Sequence, residues 1–316
     1  MQYDAVRCSG LPERLFRRSN PPKTAAVRER CHAFFVRNYR QNRTIPVRYR
    51  LQKGLTTMLF ANYHTHTARC RHADGEDRAY IEQAICAGMQ VLGFADHNPW
   101  IFDGDYVSRS RMLPSDLDGY FSSLLDLKQE YARDITIYIG FETEYLPEHM
   151  EQLDALLQGY PVEYMLLGEH FMDIEPYGTY TGIPCNDEAE FRRYIDLCIE
   201  GMETGRFAGL AHPDLFHFTG DASVYYAEYR RLCEYLKSRG IPIEINQLGL
   251  ADKRHYTSPA FLKIAKEVGN TAIIGVDAHT PAMLADAAMH KTCRALAEEY
   301  GLALIAELPE LPAVYL

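Results

Sequence analysis

The sequence predicts an α/β fold, either an α/β barrel or a doubly wound sheet, on three observations. Seven short apolar runs recur from Met58 onward. Stretches of helical period separate them. Each run hands over to a polar or metal-ligating residue at its carboxyl end.

The runs are strand-length and rich in β-branched or aromatic residues. Leu59–Tyr63 leads into His64-Thr65-His66, and Val91–Ala95 into Asp96-His97. Ile135–Phe141 is followed by Glu142 and Glu144, and Tyr164–Gly168 by Glu169-His170. Phe207–Ala211 precedes His212-Pro213-Asp214, Ile241–Ile245 precedes Asn246, and Thr271–Val276 precedes Asp277-Ala278-His279. Between runs, Ser115–Tyr131 sets Leu117, Tyr120, Phe121, Leu124 and Tyr131 on one helical face, with Ser115 and Asp118 as a capping pair. Ser258-Pro259 opens another helix, and Gly269 closes it.

Residues 1–57 differ in character. Of the chain's 33 basic and 43 acidic residues they hold 13 and 3, which leaves 20 against 40 for residues 58–316. The expected organisation is therefore a basic N-terminal extension, disordered apart from a short helix near Val27–Tyr39, and one domain over 58–316. The acidic body argues against nucleic acid as a partner. No apolar run reaches 18 residues and no apolar segment lies near the start, so neither a membrane span nor a secretory signal is expected. The eight cysteines form no CxxC pair, which fits reduced thiols in a cytoplasmic protein. The oligomeric state stays open.

In a parallel barrel all carboxyl ends lie on one face, where sites are built. His64 and His66 are two apart and so point the same way, as do Asp277 and His279. Imidazoles with carboxylates suit divalent zinc, iron or manganese. Any one of these histidines alone is more simply a buried structural residue. Six strands with a ligand at the same end are not an accident of composition. His217 and His255 lie outside the pattern but near it in sequence.

The ordered motifs HTHT (64–67), His72, ADH (95–97), GFE (140–142), GEH (168–170), AHPD (211–214) and DAH (277–279) resemble the PHP (polymerase and histidinol phosphatase) family, and within it the stand-alone histidinol phosphatases. The resemblance covers residues 58 to about 281. It implies a distorted seven-stranded (β/α) barrel with the metal site at the carboxyl ends of the strands. It also implies two to three divalent ions (Zn, Fe or Mn). His64, His66, Glu142 and Asp277 would hold the first. Glu142 would bridge to a second on His170 and His212, and His72, His97 and His279 would hold a third. Glu142, Asp277, His279 and Asp96 are the catalytic candidates. Arg254, Asn246 and Tyr256 are the candidates for gripping substrate, an arginine being suited to phosphate oxygens.

The reaction implied is hydrolysis of a small phosphorylated metabolite, with L-histidinol phosphate of histidine biosynthesis as the leading substrate. The competing readings are a phosphoesterase acting on nucleotides or other small phosphate esters, and a non-catalytic metal-binding regulatory module. An amidohydrolase shares the first His-x-His but carries a lysine where Glu142 stands. The rim loops are expected to present Trp100, Phe102, Asp103, Asp105, Tyr106, Asp173, Glu175, Tyr177 and Tyr180 to a small cationic leaving group.

Overall fold

The computed structural model describes residues 59–311. The N-terminal extension, its helix and its boundary at residue 57 lie outside the described residues. Eight strands pair in chain order, each pair parallel: β1 (Ala61–Asn62), β2 (Val91–His97), β3 (Thr136–Thr143), β4 (Tyr164–Leu167), β5 (Gly209–Leu210), β6 (Ile243–Asn246), β7 (Thr271–Gly275) and β8 (Ala303–Leu304). A doubly wound sheet reverses its strand order at a switch point, and this curled parallel sheet does not.

The count of seven strands needs correction. β8 is two residues long and shows no alternation a sequence could reveal, yet it docks on the amino end of β7 through Thr271↔Ala303 and Ala272↔Leu304. At the other end of β7, a parallel bridge joins Thr65 to Ala278. The His66 N–H donates to the Ala278 carbonyl at 3.0 Å, and the Ala278 N–H to the His64 carbonyl at 3.2 Å.

The described α-helices are α1 (Asp77–Cys86), α2 (Leu117–Glu130), α3 (Met150–Leu157), α4 (Glu188–Glu203), α5 (Ala222–Ser238), α6 (Gln247–Ala251), α7 (Pro259–Val268) and α8 (Ala287–Glu299). α7 follows its sequence signals. The Ser258 hydroxyl accepts the Phe261 N–H, Pro259 opens the first turn, and Gly269 at φ 85° ends it. Its buried Phe261 meets Tyr229 of α5 edge-on, with ring centroids 5.3 Å apart. Truncating Phe261 to alanine would cost about 3–5 kcal/mol. α2 starts later than expected, because Pro114–Asp116 forms a 3-10 turn first. Asp116 caps that turn by accepting the Leu113 N–H, so Ser115 and Asp118 do not form the cap. Asp118 instead accepts the Tyr160 hydroxyl at 2.6 Å.

Residues two apart on a strand share a face. On β3 that face runs Tyr138, Gly140, Glu142. Along β4 it runs Tyr164, Leu166 and on to Gly168, and along β7 it runs Ile273, Gly275 and on to Asp277. The amino half joins an apolar cluster with Tyr63, Val91, Ala95, Ala208 and Leu308. The carboxyl half is charged. One apolar plug thus carries the polar site, and the Tyr164 hydroxyl ties it together by donating to the Tyr63 carbonyl at 2.6 Å. Among the described residues, no helix is long and apolar enough to cross a membrane.

Candidate metal centre

The strand ends bring His64, His66, His72, His97, Glu142, His170, His212, Asp277 and His279 into one contiguous network. Glu142 is its hub, and its two oxygens face different histidines. Oε1 lies 2.7 Å from His212 Nε2 and 3.5 Å from His170 Nε2. Oε2 lies 3.3 Å from His64 Nε2, 3.5 Å from His66 Nε2 and 3.3 Å from His97 Nδ1. Asp277 Oδ1 lies 3.1 Å from His66 Nε2 and 3.5 Å from His64 Nε2.

His72 arrives by a tight turn. Thr67 caps the short 3-10 helix Ala68–Cys70, and Arg71 at φ 70° reverses the chain. The two basic residues of this loop are occupied away from the centre. Arg69 pairs with Asp77 at 2.9 Å, and Arg71 donates to the Ser108 carbonyl at 3.0 Å. His212 (φ 29°) and Asp277 (φ 53°) also stand in left-handed backbone. Such non-glycine conformations cost of order 1–3 kcal/mol each and persist where the surroundings hold them.

Buried polar atoms are ordinarily satisfied. Here His64 Nε2, both ring nitrogens of His66, Glu142 Oε1, His170 Nδ1 and His212 Nδ1 are buried without a hydrogen bond of proper geometry. Their concentration in one spot is what a cation-binding site requires. Several triads have ligand atoms within 4.8 Å of one another: His64–His66–Asp277, His64–Glu142–His212 and His66–His97–His279. These clusters are consistent with two to three divalent metal ions.

Electrostatics point the same way. Burial alone would raise both carboxylates. His64, His170 and His212 instead hold Glu142 well below the usual carboxylate range, and His64, His66 and His279 do the same for Asp277. The carboxylates draw positive charge to this spot, whether as protons or as a cation. Burial, then the charge of His66, lowers His97, His72 and His279, the last to about 3. Burial alone would lower His64, His66 and His170 too, but their carboxylate partners raise all three, so a cation bound there would displace protons, since a ligating imidazole is neutral.

Other side chains hold the cluster in place. Glu244 escaped the sequence reading, because one carboxylate in the apolar run Ile241–Ile245 carries no motif. Its Oε1 lies 2.9 Å from His64 Nδ1, and its Oε2 accepts the His212 N–H at 2.7 Å. Asn246 is fully engaged. It donates to Glu244 and Asp277 at 3.0 and 3.1 Å, and accepts the Gly249 N–H at 2.8 Å. Asp96 is buried behind His66, with Oδ1 3.4 Å from its Nδ1, and accepts the Thr67 hydroxyl. Two glycines make room for the carboxylates. A Cβ on Gly168 would overlap Glu142, and one on Gly275 would overlap Glu244.

Arg254 is exposed and donates to the Tyr256 hydroxyl at 2.8 Å and to Asp252 at 2.9 Å. Burial raises the Tyr180 hydroxyl, the Arg254 charge opposes this, and Asp277 and Glu142 add to the rise. His255 stacks on His217 with ring centroids 4.0 Å apart, and its Nε2 lies 2.7 Å from the Leu215 carbonyl.

The rim differs from its sequence reading. Trp100 is buried, and its Nε1–H donates to Glu144 at 3.0 Å. Glu175 is taken by Arg111 at 2.7 Å, and Asp173 by Arg193 at 2.9 Å. Glu175 is thus paired inside the protein and Asp173 on its surface, which a count of acidic loop residues could not reveal. Exposed Asp103 and Asp105 remain on the loop with Phe102 and Tyr106.

A histidine–carboxylate cluster able to hold several cations at the mouth of a curled parallel sheet defines a metal-dependent hydrolase. Residues 62–248, more than half of the chain, match the PHP domain family. The chain belongs to that family and is a hydrolase acting on phosphate esters. A Deinococcus radiodurans protein named "Probable histidinol-phosphatase" is 25% identical over 229 residues, covering 69% of this chain and 85% of that one. The histidinol-phosphatase of Lactococcus lactis is 24% identical over 230 residues, covering 69% and 83%. The crystal structure of the Lactococcus lactis histidinol phosphate phosphatase, complexed with zinc, L-histidinol and phosphate, covers 82% of this chain and 98% of its own, with a TM-score of 0.60 and 18% identity. At that identity the likeness is one of fold.

Proposed function

We propose that the chain is a metal-dependent phosphomonoesterase that hydrolyses L-histidinol phosphate to L-histidinol and phosphate. The observation that carries the reading is the division of histidines between the two oxygens of Glu142, which suits a carboxylate bridging two cations. The curled sheet then acts as the distorted barrel of the family, with the Thr65–Ala278 bridge drawing its first and seventh strands together at the mouth.

In this reading His64, His66, Glu142 and Asp277 hold one cation. Glu142, His170 and His212 hold a second, and His72, His97 and His279 a third. Bound divalent ions supply Lewis acidity, a nucleophilic water and neutralisation of phosphate charge. The protein's own groups do the rest. The positive charge gathered around Glu142 and Asp277 keeps both anionic, well below the usual carboxylate range. Glu244 orients His64, and Asp96 orients His66. Asn246 fixes Asp277 and acts as a positioning residue. Arg254, steered by the hydroxyl of Tyr256, grips an outer phosphate oxygen.

The substrate assignment draws on the named relatives and on the rim. Asp103 and Asp105 attract the ammonium of L-histidinol, and the Phe102 and Tyr106 rings offer faces to its imidazole. The test is kcat/KM with Mn, Zn or Fe for L-histidinol phosphate, a nucleoside monophosphate and a sugar phosphate. Preference for L-histidinol phosphate supports the reading. Preference for either competitor rejects that substrate and keeps the phosphoesterase. Turnover of none of the three argues for a metal-binding module.

A further inference from the structure

Arg111 is only 2% exposed and belongs to no motif. It lies in the loop after β2, yet it reaches three partners. Its Nη2 and Nη1 clasp Glu144 at 2.8 and 3.2 Å, and its Nε donates to Glu175 at 2.7 Å. Nη1 also donates to the Asn98 carbonyl at 3.2 Å, next to His97. Glu144 receives the Trp100 Nε1–H at 3.0 Å and turns Oε1 toward His170 Nδ1 at 3.4 Å, an ion-pair distance. Glu175 sits in the loop after β4 and also accepts the Ser108 and Tyr106 hydroxyls, both at 2.8 Å.

Burying an arginine between two carboxylates is expensive, and apolar residues could pack two loops together at lower cost. What apolar packing could not do is hold Glu144 at a fixed point beside His170. A carboxylate on the far nitrogen of a ligating imidazole sets its ring orientation and tautomer. Here Nδ1 faces Glu144, so Nε2 faces Glu142 at 3.5 Å.

We propose that Arg111 is a positioning residue for His170, acting through Glu144, and that Glu175 makes this position depend on the seating of the β4 loop. The proposal rests on His170 being a metal ligand. It adds a chain of contacts running from one mouth loop through the other to the centre.

The experiment is a double-mutant cycle with R111K, H170A and the pair, read as metal retained per chain during timed dialysis against a chelator. Melting temperature, kcat and KM are measured alongside. Lysine keeps the charge but cannot clasp Glu144 and reach Glu175 at once. R111K should shed one metal about 10- to 100-fold faster, the usual effect of losing an outer partner. Its kcat should fall with little change in KM. In the H170A background R111K should add nothing. Full retention and kcat in R111K, or an equal acceleration in both backgrounds, would overturn the proposal in favour of simple loop packing. If R111K does not fold, E175Q enters the same cycle and must show the same non-additivity. An H170A protein that keeps all its metal would reject His170 as a ligand, and that arm alone reveals it.

Discussion

His72 and His279 bring their Nε2 atoms within 2.9 Å of each other. Each Nδ1 lies at hydrogen-bond distance from a main-chain carbonyl, that of Cys70 at 2.9 Å and that of Asp277 at 3.0 Å. A carbonyl accepts only, so each Nδ1 carries the proton and the two Nε2 lone pairs confront each other. Protonation is a poor remedy, since burial and then the charge of His66 push His279 down to about 3. A shared cation is the good one. Removing His72 as His72→Ala should therefore lower the metal content by one per chain while leaving the fold intact. Elemental analysis checks this, and unchanged metal content would exclude His72 from the centre.

Glu142→Ala should do more damage. The five histidines arranged around its two oxygens lose their common partner. At least two metals should be lost per chain, and kcat should fall at least about 10³-fold, or about 4 kcal/mol. A variant with one metal, as active as its parent, would sink the bridging assignment.

Gly168→Ala and Gly275→Ala should impair activity out of proportion to stability. Each new methyl overlaps a carboxylate rather than backbone, so the side chain moves and the fold survives at a cost of roughly 1–3 kcal/mol. The carboxylate that moves is Glu142 in one case and Glu244 in the other. Metal content and kcat measured beside a thermal melt separate the two effects. Full activity in both variants would show that the centre tolerates displaced carboxylates.

Arg254→Met should raise KM for phosphomonoesters and weaken inhibition by inorganic phosphate. A charge-assisted hydrogen bond is worth about 1.5–3 kcal/mol, so the loss should be about 10- to 100-fold. Metal content should not change. Unaltered phosphate inhibition would return Arg254 to the role of a loop charge paired with Asp252.

His290 predicts a pH dependence independent of the centre. Burial pushes it down to about 4 from an ordinary value of 6.5. The unfolded chain takes up a proton below about pH 6.5, while the folded one resists until about pH 4. Stability therefore falls as pH drops through that window, by about 2 kcal/mol from this group. Chemical denaturation at pH 7 and pH 4.5 should show a smaller loss for His290→Leu than for the parent. Equal losses would mean that His290 titrates normally.

The sequence was most legible where chemistry and periodicity coincided. His-x-His and Asp-x-His each follow a strand and Glu142 stands near the carboxyl end of one, so the parallel arrangement brings them together without further information. Supporting residues were harder to read. Glu244 and Arg111 act through partners 180 and 33 positions away, and no local pattern marks such pairs. The rim was misread for a related reason. Asp173 and Glu175 look like free surface charge until their arginines are seen. β8 was missed because two residues cannot display a period.

The bridge between Thr65 and Ala278 has a kinetic consequence. It joins segments more than 200 residues apart and sets His66 beside Asp277 and His279. Closing so long a loop is entropically slow, and little rewards it until the strands between have formed. A ribosome that has not yet released the β7 segment holds a chain whose centre lacks Asp277 and His279. Acquisition of metal should therefore be among the last events of folding, and its appearance in a refolding experiment would time the arrival of that seventh strand.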